Sequence, residues 1–190
     1  MTKRLNILAR KNGGIEGLVA VEAWIAKSFD PKLMELVEVR VSQINGRANC
    51  LHMHRQDALK LGETEERMLL LNAWHESELY TDRERAALTW AEALTNVAEG
   101  HAPDSDYEVA QNAFSKDELV ALSIGIAMIN AWNRLASAFG CSIQRIASAP
   151  PDPSVRRANP FARRLRRPRR HATQLLVRVT DGSLRLSTRA

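Results

Sequence analysis

Cysteine is scarce in this sequence. Cys50 and Cys141 are the only two thiols among 190 residues, too few for the disulfide framework of a small secreted protein. Residues 1 to 5 are charged, but the apolar run and cleavage site of a secretory signal do not follow them. The sequence therefore argues against a disulfide-stabilised secreted scaffold, and we expect a cytoplasmic protein in a reducing compartment.

Long apolar runs and strand patterns are also lacking. We find no stretch that approaches the ~20 consecutive apolar residues of a membrane helix, and we expect no membrane span. Before residue 174 no segment alternates apolar and polar residues as a half-buried strand does, and no repeat has a period of 20 to 50 residues. These absences favour a single all-α domain.

Acidic residues are nearly missing from the end of the chain. Residues 151–190 hold eleven arginines against two aspartates, whereas the first 150 residues hold 16 basic and 20 acidic side chains. This Pro- and Arg-rich segment has too little apolar content to form a core. We therefore divide the chain into a domain at 1–148 and a disordered basic tail at 149–190. The tail could bind nucleic acid or anionic lipid, but it has no interleaved aromatic residues beyond Phe161, which favours a solvated extension. Residues 174 to 179 could form a strand, but no partner is evident and we leave them as coil.

Helical periodicity covers the chain to about residue 147. Asp30-Pro31 is a helix start, and Thr81 and Ser115 each open a capping box with a glutamate three residues later. The last helix is apolar nearly all round, which is typical of a central helix or one covered by an oligomer. The pattern predicts helices at 15–28, 31–44, 47–61, 64–74, 83–97, 103–113 and 115–147.

Cys50 is the candidate nucleophile. It lies in the first turn of its predicted helix, where backbone N–H groups favour a negative charge, and Arg47 and His54 share its face at spacings of three and four residues. The helix start and the fixed positive charge of Arg47 should both lower the thiol pKa, and His54 can relay a proton or hold one. Glu35 lies on the preceding helix and would return to this place if the two helices form a hairpin. A carboxylate, an imidazole and a thiol can together activate a sulfur nucleophile.

Other interpretations remain open at this point. Cys50 could be a small buried apolar residue. A metal site of Cys50, His52 and His54 is less favoured because His52 points away from the other two, and zinc needs converging ligands. Cys141 fits a small residue at a helix end and could resolve Cys50 only if the fold joins them. We expect no metal and no cofactor.

Several separated motifs agree in order and spacing with the alkylhydroperoxidase D-like branch of the carboxymuconolactone decarboxylase family, which residues 15 to 140 resemble. They are Leu36-Val37-Glu38-Val39-Arg40-Val41-Ser42-Gln43-Ile44-Asn45-Gly46, Cys50, Met53-His54, Asp57-Ala58, Gly62-Glu63-Thr64-Glu65-Glu66-Arg67, Trp74, Glu84-Arg85-Ala86-Ala87-Leu88, Trp90-Ala91-Glu92-Ala93-Leu94-Thr95 and Ile129-Asn130-Ala131-Trp132-Asn133-Arg134.

The resemblance implies an all-α helical bundle that assembles as trimers or hexamers and reduces alkyl hydroperoxides. It implies that Cys50 is the peroxide-attacking cysteine, that His54 is the relay and that Glu35 is the base. Arg47 stands where the family has its resolving cysteine, and Asn49 departs from the residues usual at its position. We therefore expect an antioxidant peroxidase with impaired turnover, which needs an outside thiol reductant.

Two alternatives accompany this expectation. The chain could be a non-catalytic helical oligomer on the same scaffold, or a decarboxylase-like enzyme in which Arg47 holds a carboxylate substrate.

Overall fold

The structure, a computed structural model, describes residues 4–5, 7, 13–140, 175–180 and 183–188 of the chain. Contacts divide the chain into two units, residues 1–144 and 145–190. In the described part of the first unit the elements are α1 (Gly13–Ser28), α2 (Pro31–Ile44), α3 (Ala48–Lys60), α4 (Glu65–Leu70), a 3-10 helix (Leu71–Glu76), α5 (Asp82–Thr95), α6 (Val97–Gly100), α7 (Asp104–Ala113) and α8 (Lys116–Phe139). The all-α fold predicted from the sequence is confirmed for this unit.

Side chains at the helix starts cap four of these elements, α2, α4, α5 and α8. Asp30 accepts from the backbone N–H groups of Lys32 and Leu33 and so caps α2. Thr81 and Ser115 cap α5 and α8 with complete capping boxes, as predicted. The short α6 was not predicted, and the segment after α4 tightens into a 3-10 helix instead of continuing as an α-helix.

α2 is the central helix of the bundle. Eight of its fourteen residues are buried, because it packs against α3, α5 and α8. α1 packs against α8, and α7 packs against α5. The core of the described residues therefore joins elements far apart in sequence, from Ile25 in α1 to Ala136 in α8. This arrangement fixes the relative positions of α2 and α3, which carry the candidate site.

α8 differs from the sequence-based expectation in two ways. It ends at Phe139 rather than near residue 147, because Gly140 takes a left-handed conformation (φ 68°) that terminates the helix; residues 141–147 lie outside the described part. By length and composition α8 could cross a membrane, which we had not expected of any segment. Half of its most apolar stretch is buried within the protein, and this burial is typical of a core helix.

The second unit contains a strand pair where we expected disorder. β1 (Leu175–Thr180) pairs antiparallel with β2 (Ser183–Thr188), and Leu175 stands opposite Thr188. The prediction of coil is wrong for residues 175–179, which belong to β1. Two alternating runs flank Asp181-Gly182 in the sequence, a pair typical of two-residue hairpin turns, and this pattern favours the strand pair. Residues 149–174 of the predicted tail lie outside the described part.

Candidate active site

α2 and α3 form a helical hairpin that brings Glu35 to His54. The connection contains Gly46, whose φ of +62° is the left-handed conformation that glycine adopts at no steric cost. The reversal places Nδ1 of His54 2.9 Å from Oε2 of Glu35. The structure therefore brings together two of the residues selected from the sequence, in a direct hydrogen bond.

Glu38 also contacts His54. Its Oε2 lies 3.1 Å from the same Nδ1, so the ring N–H is shared between two carboxylates. Burial pushes the pKa of His54 downward, but the hydrogen bonds and negative charges of Glu35 and Glu38 outweigh burial and raise it from 6.5 to about 10. His54 is therefore held as an imidazolium at neutral pH. Its other ring nitrogen, Nε2, takes no part in these two contacts and can donate a hydrogen bond to a neighbouring group.

A cavity of about 420 Å³ adjoins this cluster, and its walls are mostly apolar. Cys50, His54 and Glu38 all line it. The remaining lining residues come from α1, α3, α8 and the N-terminal segment: Ile7, Val19, Glu22, Asn49, Met53, Trp132, Leu135 and Ala136. A small organic molecule in this cavity would have its apolar part against the walls and its reactive end near the sulfur.

Cys50 is positioned by the start of α3. It is the third residue of the helix, which begins at Ala48, and only 4% of its surface is exposed. In the first turn the backbone N–H groups and the helix dipole favour an anion, and residues four apart such as Cys50 and His54 share a helix face. A thiolate at this position would therefore have both a helix N-terminus and an imidazolium close by, inside a cavity that a small substrate can occupy.

Three other candidate residues from the sequence, Arg47, His52 and Cys141, are not among the described residues that line the cavity. Arg47 precedes α3 as its N-cap residue, without a side-chain capping bond, and it is not among the described residues that line the cavity. His52 likewise does not line the cavity. Cys141 lies outside the described residues, so its relation to Cys50 stays a sequence-based question.

Glu38 and Glu22 are site residues that we had not selected. Glu38 lies three residues after Glu35 and so shares its helix face, a spacing that could have identified it. Glu22 lies on α1 and accepts a hydrogen bond of 2.8 Å from Trp132 Nε1 on α8. No local pattern predicts that contact, because the two residues are 110 positions apart.

The cluster also has the composition of a cation site. Ligand atoms of Glu35, Glu38 and His54 lie within 4.8 Å of one another, and carboxylate and imidazole are both metal ligands. This set differs from the Cys50, His52 and His54 set, which the sequence analysis did not favour. In the structure the His54 ring N–H already bonds both carboxylates, so hydrogen bonding accounts for the geometry.

The other motif residues hold the bundle together. Arg67 pairs with the buried Glu63 at 2.7 Å and with Glu84, which links α4 to α5. Glu92 on α5 accepts from Arg40 Nε at 2.8 Å and from Trp74 Nε1 at 2.6 Å. None of these residues lines the cavity beside Cys50. Their contacts in the described part of the chain join α2, α4, α5 and the 3-10 helix.

Comparison with known proteins places this arrangement in a family. The sequence profile of the carboxymuconolactone decarboxylase family matches residues 14–93. The uncharacterized protein YdfG of Bacillus subtilis (strain 168) is 35% identical over 141 residues, which are 74% of this chain and 96% of YdfG.

Two solved structures are also similar. ATU0492 from Agrobacterium tumefaciens, a protein of unknown function with a suggested identity as the antioxidant defence protein AhpD, has a TM-score of 0.70 and 33% identity over 74% of this chain and 97% of its own. The debrominase Bmp8, solved as a cysteine-to-alanine variant in complex with 2,3,4-tribromopyrrole, has a TM-score of 0.61 and 18% identity over 68% and 70% of the two chains, and shows the likeness of fold alone. The helical bundle, the motifs along it and these matches together show that the chain belongs to the carboxymuconolactone decarboxylase family, in its alkylhydroperoxidase D-like branch.

Proposed function

We propose that this protein reduces organic hydroperoxides with Cys50 as the nucleophile. The observation that carries the proposal is the cavity that Cys50, His54 and Glu38 line together, with His54 held by Glu35 at 2.9 Å. A hydroperoxide with an apolar organic group fits a cavity whose walls are mostly apolar. The suggested identity of ATU0492 as an antioxidant defence protein supports the same reaction class.

The first half-reaction uses the cluster to form and hold the thiolate. His54 takes the proton of the Cys50 thiol, so that the resting site holds a thiolate beside an imidazolium, and the Glu35 carboxylate fixes the charged ring through Nδ1. The Cys50 thiolate attacks the terminal peroxide oxygen, the O–O bond breaks, and the products are a Cys50 sulfenic acid and an alcohol. A thiolate beside an imidazolium is the reactive form of cysteine in such sites.

The second half-reaction depends on Arg47. The position three residues before Cys50 holds the resolving cysteine in the peroxidases that this chain resembles, and arginine cannot form a disulfide. An outside thiol, or Cys141 if the fold brings it to Cys50, must therefore condense with the sulfenic acid, releasing water, and a further thiol must then reduce the disulfide. We propose a small thiol or a dithiol protein as this reductant.

A matched pair of variants tests the nucleophile. Purified wild-type protein, Cys50→Ser and Cys141→Ser are mixed with excess cumene hydroperoxide, and the remaining thiols are counted. We expect wild type and Cys141→Ser to lose the Cys50 thiol, and Cys50→Ser to show no comparable rapid loss. If Cys50 remains reduced in wild type, the protein is a non-catalytic member of the family and the proposal is wrong.

A decarboxylase-like reaction finds less support in the structure. Such an enzyme would need a cation for the substrate carboxylate; none of the described residues that line the cavity is lysine or arginine, and the charge of His54, which does line it, is already bonded by Glu35 and Glu38. Arg47, the arginine on which that alternative depended, is not among them. We therefore retain the peroxidase as the single proposed function.

We also propose that the helical unit assembles as a trimer or hexamer. Trp24 on α1 and Val120 on α8 are exposed, with Ala20, Val21 and Ile124 lining a shallow apolar cleft beside Trp24. Large exposed apolar side chains in a contiguous patch are typical of subunit interfaces. Light scattering should report an oligomer for the wild type and a smaller species for Trp24→Glu; a monomeric wild type would contradict this assembly.

A further inference from the structure

The two carboxylates that hold His54 occupy different environments. Only 7% of the surface of Glu38 is exposed, and this residue lines the cavity beside Cys50. Glu35 is half-buried and is not among the described residues that line that cavity. A substrate in the cavity therefore meets Glu38, whereas Glu35 reaches it only through the His54 ring.

The charges around Glu38 favour its protonated form. One imidazolium, His54, lies between two carboxylates, and a third carboxylate, Glu22 on α1, borders the same cavity. His54 can neutralise only one of them, and a buried carboxylate with no matching charge is costly. Burial raises the pKa of Glu38 above its usual 4.5, with the charges of Glu35 and Glu22 adding to the rise and the His54 hydrogen bond and charge opposing it.

We propose that Glu38 is the general acid of the peroxide reduction, and that it protonates the alkoxide that leaves when the O–O bond breaks. The inference rests on the proposed function. In the balanced step the Cys50 thiolate, the hydroperoxide and the Glu38 carboxylic acid give the Cys50 sulfenic acid, the alcohol and the Glu38 carboxylate. The sulfur is oxidised by two electrons, the peroxide is reduced by two, and the proton passes from Glu38 to the leaving oxygen.

A second, smaller cavity provides a route for the proton to return. Its volume is about 110 Å³, large enough for water, and Glu22, Glu35 and Glu38 are among the residues that line it. Glu22 and Glu38 line both cavities. Glu38 can thus regain its proton from the smaller cavity while the alcohol leaves through the larger one.

This assignment gives Glu38 and Glu35 different roles. Glu38 contacts the substrate and is a catalytic residue. Glu35 acts through the imidazole ring, which it orients and keeps charged, and is a positioning residue. The two should therefore respond differently to the leaving group of the oxidant, because only the general acid senses how basic that group is.

Two oxidants and two matched variants test the different roles of Glu38 and Glu35. Cumene hydroperoxide leaves as a basic alkoxide that needs a proton, whereas peracetic acid leaves as a stable carboxylate that does not. The second-order rate constant for oxidation of Cys50 is measured in a single turnover for the wild type, Glu38→Gln and Glu35→Gln. For Glu38→Gln we expect a loss of about 10²-fold or more with cumene hydroperoxide and little change with peracetic acid. For Glu35→Gln both oxidants should slow by the same factor.

The outcomes separate this inference from the function on which it rests. No oxidation of Cys50 in the wild type would overturn both. Oxidation of the wild type together with equal effects of Glu38→Gln on the two oxidants would leave the peroxidase standing and refute the role of Glu38. The wild type alone gives a check that does not depend on folding of a variant. As pH rises through the titration of Glu38, the rate with cumene hydroperoxide should fall relative to the rate with un-ionised peracetic acid, and a constant ratio would refute the inference.

Discussion

The imidazolium of His54 makes the stability of the fold depend on pH. In the folded protein the ring keeps its proton until about pH 10, whereas an unfolded histidine releases it near 6.5. Because the folded pKa is the higher one, the stabilisation is fully present below pH 6.5 and is lost as pH rises towards 10. Raising the pH should therefore weaken the hairpin of α2 and α3.

The size of the loss follows from the pKa. A rise from 6.5 to about 10 corresponds to about 5 kcal/mol of unfolding free energy. This value is an upper limit, because Glu38 also exchanges its proton over part of the range and shares the hydrogen bond of the ring. We expect the wild type to lose about 2 to 5 kcal/mol through His54 across this window.

Urea denaturation at several pH values between about 6 and 10 measures the effect. Lysines and tyrosines also titrate in this range, so the informative quantity is the difference between the wild type and His54→Gln. His52→Gln is the matched control, since His52 lies on the same helix but outside the cluster. The control should parallel the wild type, whereas His54→Gln should lose the pH dependence. Parallel curves for all three proteins would refute the charged state assigned to His54.

Three further predictions concern other parts of the chain. Arg47→Cys should restore dithiol-driven turnover with peroxide, and no gain in a coupled reductase assay would show that a missing resolving cysteine was not the limitation. Arg67→Met should destabilise the fold by about 3 kcal/mol, because it removes the close ion-pair partner of the buried Glu63. The control Arg55→Met breaks an exposed pair with Glu65 and should cost less than about 1 kcal/mol. Equal losses of unfolding free energy in urea denaturation would contradict this prediction. Deleting residues 151–190 should leave the helicity and melting temperature unchanged, since the described core spans residues 25–136, and a large drop in melting temperature would show that the deleted segment stabilises the helices.

The helices were predictable where local chemistry decides them. Asp30, Thr81 and Ser115 bond backbone N–H groups within their own first turns, so the signal and the structure lie in the same few residues. The end of α8 is indicated by Gly140, whose left-handed conformation stops the helix at Phe139. The strand pair after residue 174 was missed because a hairpin turn signal at residues 181–182 was not weighed against the basic composition around it.

The site was only partly predictable. Cys50 and His54 share a helix face, so their proximity follows from spacing, and Glu35 joined them through the family resemblance and the expected hairpin. Spacing could not rank Glu35 against Glu38, because both lie on one face of α2 and only the packing of α1 and α8 decides which of them borders the cavity. Trp132 and Glu22 show the same limit, since their hydrogen bond joins two packed helices whose residues are 110 positions apart in the sequence.

The most direct test of the account is the site of oxidation in the wild-type protein. Protein treated with a slight excess of cumene hydroperoxide is trapped with a sulfenic-acid reagent, digested and analysed by mass spectrometry of its peptides. We predict that the oxygen of the peroxide goes to the sulfur of Cys50, seen as an adduct of the reagent on that residue, and that no adduct forms when Cys50 is replaced by serine. An unmodified Cys50, with the oxygen on a methionine instead, would contradict the central claim that the cavity beside His54 and Glu38 activates this thiol.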